Sequence, residues 1–350
     1  MLNLFSDDVR RNPFPLYDHF RAACPVMLEP TSGVWMLFDY ANVKRALDDV
    51  ETFVSDTASV GAHPAPPWLV FIDPPRHTKL RAIISKAFTP RMVEAMEPRI
   101  RELSRELLDR AIVGQAFQPD AARPAQPTDV RLESLTYGEL DLATDYSVPL
   151  PMRVIAEMIG IPQADWPRYV RWSSAILNIS YSVRGMSPGK EAANAANEEF
   201  SAVVGEMADY LSMLVAERRA NPRDDLLTRL VAAEVDGQRL SPHELLAFFQ
   251  LLIVGGQETT TNLINNAVLC LLEHPDQLAK LRESPELLPS AIEEVLRYRS
   301  PFQLLFRGTR REVELDGQTI PAGKLLFLMI GSANRDPNQF RDANRFDITR

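Results

Sequence analysis

Residues 241–273 read SPHELLAFFQLLIVGGQETTTNLINNAVLCLLE, and this run decides the fold class. Ser241 is placed to cap a helix, Pro242 occupies its first position, and Glu244 completes a capping box. The helix is predicted to run to about Glu273, just before His274-Pro275. At 1.5 Å per residue it is roughly 48 Å long and crosses a whole domain. In its middle stands Gly255-Gly256-Gln257-Glu258-Thr259-Thr260. Two glycines weaken a helix, and the Thr259 hydroxyl can bond back toward a carbonyl one turn earlier, so a local bulge that makes room is expected. An acid beside an alcohol, facing a cavity in an apolar helix, can deliver protons to a bound oxygen species. Close helix packing against the glycines, with an exposed acid, is the competing reading.

Outward from this helix the pattern stays mainly helical, with short strands near both ends. Trp35 to Phe38 and Leu325 to Ile330 are apolar runs of strand length, and Val313 to Ile320 carries the hairpin signal Asp316-Gly317. These are expected to pair into one small sheet. Arg91 to Val113 sets Met92, Met96, Ile100, Leu103, Leu107 and Ile112 near one helical face, and Pro98 must kink or divide that segment. Gln115 to Tyr137 has no sustained period and is punctuated by Pro119, Pro124 and Pro127; it reads as an exposed, disordered insertion.

The 350 residues are 45% apolar and 24% charged, an ordinary globular balance. A net charge of −9 gives no footprint for nucleic acid and disfavours an anionic membrane surface. The longest apolar stretch, Leu245 to Gly256, falls far short of the roughly 20 residues that span a bilayer. The opening MLNLFSDDVRRNPF carries acids where a secretory leader would be basic, so a cytoplasmic protein is expected. Cys24 and Cys270 show neither paired spacing nor a metal-ligand pattern, which argues against disulfides.

Two further clusters carry candidate chemistry. Glu294 and Arg297, in AIEEVLRYRSP, lie one helical turn apart and can form a charge-assisted pair, although most such pairs are surface pairs of little worth. His77 and Arg81, in DPPRHTKLR, have i, i+4 spacing and can offer two donors to one anion, or form a solvated basic face.

Taken together, FIDPPRHTKLRAIISKAFTPR at 71–91, GGQETTTN at 255–262, AIEEVLRYRSPFQLLFRGTR at 291–310, IPAGKLLFLMIGSANRDPNQF at 320–340 and DANRFDITR at 342–350 resemble the bacterial cytochrome P-450 family, in the family's order. The resemblance implies a mainly α fold with a small β-sheet, a single domain over 1–350, and heme (protoporphyrin IX iron) as cofactor. It implies a monooxygenase that inserts one oxygen atom from O2 into a small organic, hydrophobic substrate, with electrons from a ferredoxin-like or flavodoxin-like donor. By the same likeness Glu258 and Thr259 are the catalytic acid and alcohol. Gly255, Gly256, His77, Arg81 and Arg307 contact the cofactor, with the three basic residues on its propionates. Glu294 and Arg297 form a structural pair that locks with Arg345. The family's cysteine loop should follow DANRFDITR, and neither Cys24 nor Cys270 matches it, so no metal ligand is assigned and a chain cut short before that loop is expected. A rival reading is a heme- or small-molecule-binding module without turnover. Expected pocket walls are Val54 to Val70, Trp172 to Met186, Leu252 to Thr259 and Phe302 to Leu305.

Overall fold

Ser241 opens the central helix in the computed structural model, which describes residues 9, 11–30, 32–60, 66–116, 140–183 and 190–350. In chain order the elements are α1 (Phe14–Ala23), β1 (Val26–Leu28), β2 (Trp35–Leu37), α2 (Tyr40–Asp48), β3 (Phe53–Val54), α3 (Arg76–Ala87), α4 (Pro90–Ala95) and α5 (Glu97–Ala116). They continue with α6 (Pro149–Ile159), α7 (Trp166–Val183), α8 (Lys190–Ala220), α9 (Leu226–Ala232), α10 (Pro242–Glu273), α11 (Pro275–Glu283) and α12 (Leu288–Tyr298). The last are β4 (Leu305–Thr309), β5 (Val313–Leu315), β6 (Gln318–Ile320), β7 (Leu325–Leu328) and α13 (Ile330–Ala333). A single turn of π-helix, Leu142–Ser147, precedes α6.

The capping box forms: the Ser241 hydroxyl accepts from the Glu244 N–H at 3.3 Å, and the Glu244 carboxylate accepts from the Ser241 N–H at 2.9 Å. Pro98 falls in the first turn of α5, where no backbone donor is needed, so the 91–113 segment divides at Met96. The insertion expected at 115–137 lies outside the described residues from 117 onward.

The sheet has five strands in the order β1-β2-β7-β4-β3. β2 and β7 run parallel, Trp35 opposite Leu326, joining residues nearly 300 apart in sequence, while the other pairs are antiparallel. The hairpin does not join this sheet. Asp316 at φ 47° and Gly317 at φ 71° turn β5 back onto β6 as a separate two-stranded ribbon. Its Val313, Leu315 and Ile320 pack into the cluster holding Trp35, Leu326 and Leu328, so burial rather than strand pairing attaches it.

The largest core surrounds the first half of α10, where Phe248, Phe249 and Ile253 meet Trp172 of α7, Tyr210 of α8 and Leu226 of α9. Each such side chain contributes on the order of 1.5–3 kcal/mol on burial. At the far end of α10, Cys270 packs with Ala291, Val295, Phe346 and Ile348. α10 is therefore gripped at both ends, and its middle faces a cavity.

Candidate functional site

That cavity, of about 740 Å³, is bounded by α10, by residues 68–77 leading into α3, and by residues 296–307 ending in β4. Leu251, Gly255, Thr259 and Leu263 line it at four-residue intervals, as one stripe of a helix must. Apart from the backbone of its own turn and its chain neighbours, Gly255 has nothing within 4 Å of where a Cβ would stand. The Thr259 hydroxyl donates to the Gly255 carbonyl at 2.6 Å, the predicted back-bond. The predicted bulge is absent: α10 is continuous from Pro242 to Glu273, and the missing Gly255 side chain supplies the room instead.

His77 and Arg307 both line the cavity. Arg307 is set by β4, where it stands opposite Leu326, and it donates to the Phe306 carbonyl at 2.9 Å. Burial lowers its pKa, and Asp73 is the nearby opposite charge that partly restores it. A desolvated guanidinium at the edge of an apolar cavity favours a carboxylate ligand. Asp73, which the sequence reading passed over, also lines the cavity and holds the loop beneath it by accepting the Ser55 and Asp56 N–H groups at 2.8 and 3.2 Å.

Other expected members lie elsewhere. Arg81 is exposed on α3 and does not line the cavity: it shares the face of His77 but lies one turn, about 6 Å, further along the helix, beyond the lining. Gly256 faces α6, where an added Cβ would come within 2.6 Å of Ile155, so helix packing accounts for it. Glu258 is half-buried and outside the lining. Of the expected walls, Ser55 and Trp68 to Val70 line the cavity, as do residues from 252–259 and 302–305; no described residue of 172–186 does. Trp172 instead sits fully buried, its ring 5.2 Å from that of Tyr210 and 6.3 Å from that of Phe249.

Glu294 and Arg297 pair twice, at 2.7 and 2.8 Å, both buried. Arg297 also donates to the carbonyls of Asn334, Ala343 and Arg345, and Glu294 accepts from the Asp347 N–H at 2.9 Å. The expected lock by Arg345 is made by its backbone carbonyl. Its side chain is 65% exposed, because the carboxylate is already occupied by Arg297, by Asp347 and by Arg350 at 3.3 Å.

The cavity fits the cofactor in its apolar lining, its paired basic groups and its open glycine face. Neither cysteine reaches it. Cys24 caps the end of α1, and burial beside α12 pushes the Cys270 thiol up to about 11, the wrong direction for a thiolate ligand.

Residues 187–350 match the family model described as cytochrome P450. Over 99% of its length the chain is 37% identical to the vitamin D(3) 25-hydroxylase of Pseudonocardia autotrophica, spanning 80% of that protein. The chain belongs to the cytochrome P450 family. It is 38% identical to the erythromycin C-12 hydroxylase of Saccharopolyspora erythraea over 91% of this chain and 72% of that one. Its fold superposes on the ligand-free cytochrome P450 TbtJ1 with a TM-score of 0.82 at 37% identity, covering 99% of this chain and 82% of the other. Cytochrome P450 proteins bind heme iron, and with hydroxylases as relatives this chain is a monooxygenase of the family. The family model matches through residue 350, and the chain spans 80% and 72% of the lengths of the two hydroxylases. Among the described residues no helix is long and apolar enough to cross a membrane.

Proposed function

We propose that this chain hydroxylates a bulky hydrophobic molecule bound in the cavity against α10, inserting one atom of O2 and releasing the other as water with two electrons and two protons. The observation that carries the reading is the convergence of Thr259, His77 and Arg307 on one apolar cavity. Heme, when bound, supplies the oxidising chemistry. His77 and Arg307 would hold its carboxylates. Thr259 holds a proton at its hydroxyl beside the stretch of helix that Gly255 leaves open, and Glu258, one residue away, exchanges protons with solvent. The names of the vitamin D(3) and erythromycin hydroxylases support a large organic substrate, and a ferredoxin-like or flavodoxin-like protein supplies the electrons. The protein works in the cytoplasm.

The test is incubation of the heme-loaded chain with such a donor, a hydrophobic candidate and isotopically labelled O2. One labelled oxygen in the product is expected, and unlabelled or absent product contradicts the reading. The position of the two cysteines favours a second reading, a module that binds heme or a small molecule without turnover. Saturable binding with no product identifies that case.

A further inference from the structure

Gln250 is a buried amide within the apolar first half of α10, only 4% exposed. Its Oε1 accepts the indole N–H of Trp68 at 3.1 Å, and Trp68 is itself 3% exposed. The Trp68 ring stacks on Phe71, with centroids 6.0 Å and planes 21° apart. Residues 68–72 make one wall of the cavity, and Leu251, Val254 and Gly255 of α10 make the wall facing it. The hydrogen bond therefore joins the two walls where water does not reach. An indole N–H can only donate, and a buried amide oxygen left unpaired is costly, so each group holds the other in place. Asp73 braces the far end of the same loop through Ser55 and Asp56, but that contact does not reach α10.

We propose that Trp68 and Gln250 are a specificity-determining pair: their bond fixes the separation of the 68–72 wall from α10 and so sets the bulk of substrate the cavity accepts. The inference rests on the reading of this cavity as the substrate site. Trp68→Phe keeps the ring and its stack on Phe71 but removes the donor, Gln250→Met removes the acceptor at similar volume, and the double variant removes both.

Amide hydrogen exchange of residues 68–72 and equilibrium dialysis against vitamin D3 and naphthalene, as a large and a small apolar probe, are measured on the full chain. Each single variant is expected to exchange about tenfold faster in 68–72 and to change the ratio of the two dissociation constants about as much, because the bond that joins the two walls is lost. The double variant lacks the bond as well and should keep the faster exchange and the altered ratio; a return of both to the unaltered chain's values overturns the bond as the determinant. Unchanged exchange and an unchanged ratio in both single variants overturn the pair's role. An unaltered chain that binds neither probe overturns the substrate-site reading, and this inference with it.

Discussion

Gly255 and Gly256 stand side by side in α10 and meet opposite surroundings, open space for one and Ile155 for the other. Gly255→Ala is expected to leave stability unchanged or raise it, since alanine favours a helix by up to about 1 kcal/mol over glycine. Gly256→Ala pushes a methyl against the Ile155 side chain, and the two variants should differ by about 1–2 kcal/mol in denaturant melts. Equal stabilities would show that both positions have the same freedom. The sequence marked this pair as one feature, because adjacency says nothing of which member faces a cavity. The stripe Leu251, Gly255, Thr259, Leu263 was available in the four-residue spacing and separates them. Trp68 and Gln250 were less legible: a lone amide in an apolar run announces a buried partner, but not which of the chain's distant donors it meets.

Elements depend on one polar junction, where α12 meets residues 334–347. Arg297 satisfies the Asn334, Ala343 and Arg345 carbonyls as well as Glu294, so its removal strands several acceptors at once. Glu294→Ala and Arg297→Ala are each expected to cost on the order of 3 kcal/mol or more, the scale of breaking a buried pair by removing one partner. Arg345→Ala should be nearly neutral, because only its backbone takes part. Near-neutral melts for both Glu294→Ala and Arg297→Ala would mean that the junction contributes little. Spacing predicted that the pair would meet but not its burial, which depends on residues 37 and more positions away from Arg297. The sheet shows the same limit: strand runs and the Asp316-Gly317 turn were readable, but the parallel β2–β7 pairing and the detached ribbon are set by long-range packing.

For the molecule as a whole, ionisation bounds the stable pH range on both sides. The Asp347 carboxyl is held below its ordinary range because the Thr349 hydroxyl and N–H donate to it, and Asp141 likewise because the Thr144 and Ala143 N–H groups do. A carboxylate with a lowered folded pKa contributes stability that is present above its unfolded value, about 4, and is lost as pH falls through the folded one. Burial raises the Tyr17, Tyr169 and Tyr210 phenols, whose contribution is complete below about 10 and is lost as pH rises beyond it. Melting temperatures should therefore be flat near neutrality and fall on both sides; a melting temperature still rising below pH 4 would contradict the carboxylate assignments.

The central claim is that the cavity against α10, with Arg307 at its edge, is where this cytochrome P450 chain takes its cofactor. Titration with ferric heme, followed by absorbance, tests it most directly on the unaltered chain and on Arg307→Leu, Cys24→Ser and Cys270→Ser. Saturable one-to-one uptake is predicted, weakened about tenfold by Arg307→Leu through loss of a charge-assisted contact and unaffected by either cysteine change. No saturable uptake, or uptake indifferent to Arg307→Leu and abolished by Cys24→Ser or Cys270→Ser, would contradict it.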